Sequence, residues 1–182
     1  MNLGIIVVTA VAVLALAALA FGVVLLYRSL SARGTRHAIV GLIGRKEAIM
    51  SAHRALWNAV ERLAEADDAA LYRFSTDPED EERLAFAEIA SQMRITEDEL
   101  KNTDVSRSLE GVVMTMEDAA RLIFEAAGTV DGAGESDALV AASEIDFARI
   151  AAAVARMEES LHEAADRNRV DDRSVYGGGL YI

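Results

Sequence analysis

The three histidines and thirty acidic residues of the chain are its candidates for metal or acid–base chemistry. A di-iron centre in a helical bundle needs two Glu-x-x-His motifs and two further glutamates that point inward. One such motif occurs, Glu159-Ser160-Leu161-His162. The heptad pattern places Leu161 in the core and Glu159 in solvent, so an ion pair among Glu158, Glu159 and His162 explains the motif better. The sequence therefore predicts no metal site and no cofactor.

Histidine also carries phosphate in phosphotransfer domains, which are small acidic helical bundles whose reactive histidine is followed three and four residues later by Lys-Gly. None of the three histidines precedes that pair: His37 is followed by Ala-Ile-Val-Gly, His53 by Arg-Ala-Leu-Trp and His162 by Glu-Ala-Ala-Asp. The resemblance is therefore one of composition. A membrane-tethered signalling or phosphotransfer-like module stays an alternative function.

Motifs of other enzyme classes are also missing from the sequence. It has no Gly-rich phosphate loop, no Gly-x-Ser-x-Gly motif and no cysteine. The acidic run Glu79–Glu82 follows Asp77-Pro78, and acidic residues are favoured at the positive end of a helix. We predict no catalytic residues and a protein that is not an enzyme, with a metal-dependent helical enzyme as the alternative.

A run without any charge, Leu3 to Leu26, precedes these residues. Its 24 residues are six Leu, six Val, six Ala, two Ile, two Gly, one Phe and one Thr. A helix rises about 1.5 Å per residue, so the run would span about 36 Å and cross a hydrocarbon core of about 30 Å. It predicts a single transmembrane anchor at 1–27.

A cleaved signal sequence is the alternative to an anchor, because Ala18-Leu19-Ala20 has the form of a cleavage site. Two features favour the anchor. Met1-Asn2 contains no basic residue, and the apolar run continues beyond Ala20. If the run were cleaved as a signal sequence, the remaining chain would be an exported helical protein.

Basic residues on one side of the run predict its orientation. Arg28, Arg33, Arg36, Arg45 and Lys46 all precede the first acid, Glu47. Positive flanks stay in the cytoplasm, so the N-terminus is expected outside the cell and the C-terminal domain inside. Tyr27 fits an interfacial aromatic residue. The predicted location is the cell membrane, with residues 28–37 as a basic juxtamembrane segment.

The remainder of the chain is strongly acidic. Five of the 18 basic residues lie in 28–46, so residues 47–182 carry 13 against all 30 acidic residues, a net charge of −17. Such a domain repels phosphate backbones, which excludes nucleic acid as the expected partner. A single proline and abundant Ala, Glu, Arg and Leu predict an all-α fold.

Seven-residue hydrophobic repeats predict the helices. The first should span about 36–74, with Leu42, Ile49, Leu56 and Leu63 on one stripe and Trp57 on the next. A second, about 78–95, takes Asp77 as its N-cap and buries Leu84, Phe86, Ile89, Ala90 and Met93. The capping box Thr96–Glu99 opens a further turn or continues that helix.

Two further helices complete the predicted fold. One spans about 105–127 and ends at Gly128, and the last runs unbroken from Ser136 or Asp137 to about Asn168. Val140, Phe147, Val154 and Leu161 form one seam of the last helix, and Ser143, Ile150, Met157 and Ala164 form the other. We expect an antiparallel three- or four-helix bundle over 38–168.

The segment 169–182 has no periodicity and contains three consecutive glycines before Leu180, Tyr181 and Ile182. We expect a flexible, disordered tail that displays an apolar end. With Trp57, these three residues are the candidate interaction residues. The sequence thus predicts a non-catalytic scaffold or regulatory subunit of a membrane complex. Its expected partners are the lipid bilayer and other membrane or cytoplasmic proteins, with self-association as a further expectation and no small-molecule substrate.

Overall fold

The computed structural model describes residues 3–134 and 137–170, with side chains from residue 34 onward. These residues form six helices and no strand: α1 Leu3–Glu65, α2 Asp68–Thr76, α3 Glu81–Lys101, α4 Glu110–Asp131, α5 Ala138–Ser143 and α6 Phe147–Arg167. The predicted all-α class is therefore confirmed.

In the part of the chain that the structure describes, no helix combines the length and the apolar character needed to cross a membrane. The side chains of the anchor predicted at 1–27 lie outside that part. So does the predicted tail from residue 171 onward.

The long helices α1, α3, α4 and α6 form an up-and-down four-helix bundle. Three contacts fix the register of α1 against α6: Arg36 with Asn168, Lys46 with Glu158, and Trp57 with Phe147. Residue numbers rise along α1 by the same steps as they fall along α6, so the two helices are antiparallel.

The other neighbouring pairs are antiparallel too. Arg45–Glu99 and Arg62–Glu82 join α1 to α3, Arg83 reaches the end of α4, and Arg156–Asp118 joins α6 to α4. We call the end of the bundle that holds residue 34 the entry end. The opposite end, where α2 and α5 contact each other, is the far end.

One apolar stripe from each long helix forms the core. The largest fully buried side chains are Phe74, Phe86, Ile39, Leu42, Ile49, Leu56, Met93, Leu100, Leu109, Met116, Ile123 and Met157. Of the predicted stripe, Leu42, Ile49, Leu56 and Leu63 are buried, whereas the next predicted position, Ala70, is half-buried and belongs to α2. The prediction for Leu84 is wrong, since it is 52% exposed. It lies two residues from Phe86, about 200° away around the helix.

The predicted first helix is too long at its C-terminal end. α1 ends at Glu65, and the Asp67 carboxylate accepts a hydrogen bond from Ala70 N at 2.8 Å. Asp67 therefore caps a separate helix, α2. The hydrophobic repeat did not indicate this break because Ala64 and Ala70 suit a helix on either side of it.

The start of α3 differs from the prediction by three residues. Asp80, not Asp77, is its N-cap and accepts a hydrogen bond from Glu82 N at 3.0 Å. Asp77 instead ends α2, and its carboxylate accepts from Glu79 N at 2.9 Å, as in a local Asx turn. α3 then continues through Thr96 to Lys101, which agrees with the continuation left open for the Thr96–Glu99 motif.

Three boundaries in the second half of the chain also differ. α4 begins at Glu110, not near residue 105, and it extends past Gly128 to Asp131. The predicted last helix is divided because the Asp146 carboxylate accepts a hydrogen bond from Arg149 N at 2.9 Å and caps α6. Ile150, Val154, Met157, Leu161 and Ala164 are buried as predicted. Val140 and Ser143 precede the break and are exposed, so the predicted seams do not extend to them.

A Schellman motif ends α6. Val170 N donates to Ala165 O at 3.0 Å, Arg169 N donates to Asp166 O at 3.1 Å, and the Val170 side chain is buried. Arg169 has a φ of 54°, the left-handed conformation that glycine adopts without steric cost.

Arg169→Gly is therefore expected to raise the free energy of unfolding by about 0.5–1 kcal/mol, because it removes the left-handed strain. The gain is partly offset by the greater freedom of glycine in the unfolded chain. Urea unfolding of the full chain in detergent, followed by circular dichroism, measures the change. Unchanged or lower stability would contradict the assigned conformation.

Candidate functional site

The basic residues predicted to flank the membrane also contribute to the bundle where their side chains are described. Arg36 Nε donates to Asn168 O at 3.0 Å and so caps the end of α6. Arg45 Nε lies 3.5 Å from a carboxylate oxygen of Glu99. Lys46 is 6% exposed, and its Nζ lies 3.3 Å from Glu158 Oε1. Their effect on membrane orientation stays a prediction.

The remaining predicted flank and tail residues lie outside the described side chains. Tyr27, Arg28 and Arg33 belong to the first part of α1, where no side chain is described. Leu180, Tyr181 and Ile182 belong to the segment after residue 170. Their predicted roles are therefore not tested.

Trp57 lies at the far end, on the seam between α1 and α6. Its ring meets that of Phe147 edge to face, with centroids 5.0 Å apart, and 52% of its surface remains exposed. The stripe that carries it leaves the core along α1: Ile43 is buried in the core, Met50 is half-buried against it, and Trp57 is exposed. An exposed tryptophan held in one orientation is a common anchor in protein interfaces.

The histidines occupy separate positions. His53 is half-buried on α1, whereas His37 and His162 are exposed. His162 Nε2 lies 3.4 Å from Asp166 Oδ2, one turn further along α6. Within 34–134 and 137–170, no three His, Asp or Glu side chains are grouped closely enough to hold a metal ion.

Burial lowers the pKa of His53 below its usual value of about 6.5, because desolvation disfavours the charged imidazolium. The unfolded chain then takes up this proton at higher pH than the folded chain, so acid shifts the equilibrium towards unfolding. The urea midpoint of the full chain in detergent should fall as pH drops from 7.5 towards 5.5. His53→Gln should reduce that fall, and an equal fall in both proteins would contradict the expectation.

A groove at the far end lies between α4, α5 and the start of α6. It has a volume of about 770 Å³, and we call it the far-end groove. Its apolar lining consists of Leu122, Ala126, Ala133, Val140, Ala141, Ile145 and Ile150. Its charged lining consists of Glu125, Asp137, Glu144, Asp146 and Arg149. Four carboxylates therefore face one guanidinium around an apolar floor.

The sequence does not indicate the far-end groove, because one heptad pattern runs through both α5 and α6. The groove exists since the chain turns between Ser143 and Phe147, which lets α5 lie across the end of the bundle. Gly128 on α4 and its C-cap residue Gly132 also line the groove without a side chain to fill it. The signal that could have predicted the turn is Asp146 three residues before Arg149, an N-cap arrangement inside an apparent heptad repeat.

The fold and its charged residues define an acidic up-and-down four-helix bundle. Comparison of the chain with protein-family models, curated proteins and solved structures found no match. Any functional assignment therefore depends on the residues of this chain alone.

Proposed function

We propose that this chain is a single-pass membrane protein whose acidic bundle binds other proteins as a scaffold or regulatory subunit of a membrane complex. The observation that carries the proposal is the uncharged run Leu3–Leu26, followed by five basic residues before any acid. Its length suits a bilayer core, and its basic flank suits the cytoplasmic side. Anchored in this way, the bundle lies on the inner side of the membrane.

The exposed surface of the bundle supports a role in binding. Trp57 is 52% exposed yet fixed by its contact with Phe147. Large aromatic side chains that are oriented before binding lose little conformational entropy in a complex. We therefore assign Trp57 as one anchor for a partner, with Leu180, Tyr181 and Ile182 as a second.

Single cysteines can test the orientation, because the natural chain has none. In intact cells, a membrane-impermeant maleimide should label Asn2→Cys. It should label Asn58→Cys, an exposed position on α1, only after the cells are permeabilised. Labelling of Asn58→Cys in intact cells, or a mature protein that begins at Phe21, would overturn the anchored cytoplasmic arrangement and favour an exported protein.

Binding is tested by cross-linking in cells, followed by purification from solubilised membranes and mass spectrometry. We expect a defined partner that is lost on Trp57→Ser or on deletion of 177–182. Leu84→Ser is the matched control, since Leu84 is also 52% exposed but lies on α3. A monomer without partners, or equal loss with Leu84→Ser, would count against the proposal.

A phosphotransfer module is a second candidate, favoured by His53. Its imidazole is partly accessible on a long bundle helix, and burial lowers its pKa, which favours the neutral form that can accept a phosphoryl group. Acid-labile phosphate on His53, after incubation with a phosphorylated response regulator, would support this function over the scaffold. No transfer to wild type beyond that to His53→Gln would exclude it.

A further inference from the structure

We propose that the far-end groove binds a short basic amphipathic segment of a partner protein, with an apolar side chain on its floor and Lys or Arg side chains along its rim. The inference rests on the proposed scaffold function and adds to it a site and a partner chemistry. It concerns residues separate from Trp57 and the tail.

The floor of the groove offers apolar surface that the bundle itself does not cover. Val140 is 53% exposed, and Ala126, Ala141 and Ile145 are partly exposed beside it. Leu122 and Ile150 close the bottom and belong to the core. A volume of about 770 Å³ lies within the range of about 300–1,000 Å³ that is usual for ligand pockets. An apolar side chain that enters the groove would remove from water both its own surface and the apolar floor of the groove.

The rim of the groove determines the charge of its occupant. Of its four carboxylates, Glu125 pairs with Arg121, Asp146 caps α6, and Asp137 also has a partner. Glu144 forms no ion pair or hydrogen bond through its side chain with any residue that the structure describes. It follows α5 directly, where the negative end of the helix dipole adds to its own charge.

The end of α5 strengthens this negative potential. α5 ends at the groove without a basic residue in its last turn, and cations are stabilised at helix C-termini. The end of α4 contributes less, because Arg83 of α3 already donates to Asp131 O and Ala133 O there. The net charge of −17 on residues 47–182 also attracts a basic partner from a distance. A basic segment is thus favoured, and an acidic one is repelled.

The position of the groove suits a partner from the aqueous phase. It lies at the far end, and α1 extends about 45 Å from residue 35 to Glu65 at about 1.5 Å per residue. If residues 3–26 anchor the chain, the groove faces away from the membrane surface. A basic segment can then reach it without competition from anionic lipid headgroups.

The test uses the full chain in phosphatidylcholine nanodiscs, with empty nanodiscs subtracted. The probe is a fluorescent heptapeptide of alternating Lys and apolar residues, Lys-Leu-Lys-Bpa-Lys-Leu-Lys, in which Bpa is photoreactive benzoylphenylalanine. We expect saturable binding and cross-links to α4, α5 and α6 within 122–150. A peptide with Glu in place of each Lys should not bind.

Charge-matched variants separate the groove from general attraction to an acidic protein. Glu144→Lys should weaken probe binding about tenfold, because it replaces an attractive contact with a repulsive one. Glu88→Lys makes the same change in net charge at an exposed position on α3. It should weaken probe binding by less than about twofold. Equal losses, scattered cross-links, absent binding or equal binding of the Glu peptide would each overturn the groove proposal. Recovery of the cellular partner in those cases would leave the scaffold function standing.

Discussion

Replacement of Phe86 by alanine should destabilise the bundle by about 3–5 kcal/mol, the usual range for a fully buried phenylalanine. Phe86 is entirely inaccessible and meets Phe74 edge to face, with ring centroids 6.0 Å apart. The substitution leaves a cavity and removes the aromatic partner that holds α2 against the far end. Urea unfolding of the full chain in detergent, followed by circular dichroism, gives the free-energy change.

Leu84→Ala provides the control on the same helix. Leu84 is 52% exposed, so its loss should cost no more than about 1 kcal/mol. The comparison tests which side of α3 faces the core. Equal destabilisation by the two substitutions would mean that α3 is rotated about its axis relative to the structure.

The fold class could be predicted from the sequence because burial in a bundle leaves a periodic trace. Leu42, Ile49, Leu56 and Leu63 repeat every seven residues, and all four are buried on α1. The same holds for Ile150, Met157 and Ala164 on α6. A seven-residue repeat depends only on which face of one helix is buried. It can therefore be recognised without knowing which helices pack against that face.

Helix boundaries were harder to predict because several aspartates could serve as caps. Asp77 and Asp80 both precede α3, and both accept a hydrogen bond from a backbone amide two residues later. A glutamate follows each of them two residues later, so a local pattern does not distinguish the two. Asp146 was overlooked for the related reason that a heptad pattern runs across it.

The candidate sites depend on packing between helices, so the sequence predicted them only in part. The exposure of Trp57 follows from how far α6 covers the flank of α1. The second role of Lys46, its pairing with Glu158, follows from the register of the same two helices. The far-end groove needs the turn between α5 and α6, which places Glu144 beside α4.

Arg83→Met should destabilise the far end by about 2–4 kcal/mol, because Arg83 joins three elements there. The residue is 7% exposed, and its Nη2 donates to Asp131 O and Ala133 O at 3.0 and 2.9 Å. Its guanidinium carbon also lies 5.7 Å from the centre of the Phe74 ring. Hydrogen bonds from a charged donor contribute about 1.5–3 kcal/mol each, and methionine retains the apolar stem but not the donors. The substitution also removes the buried Nη1, which lacks a hydrogen-bond partner in the described structure. This gain offsets part of the loss in stability.

The location of the effect distinguishes this role from a general loss of charge. Arg94→Met removes a guanidinium from an exposed position on the same helix and should change the stability by less than about 0.5 kcal/mol. Hydrogen exchange should show faster exchange at the end of α4 and in α2 for Arg83→Met, with the entry end unchanged. The end of α4 also forms one wall of the far-end groove. Arg83→Met should therefore weaken binding of the basic probe, because the groove loses its shape. Probe binding and exchange identical to wild type would show that Arg83 does not hold this end of the bundle together.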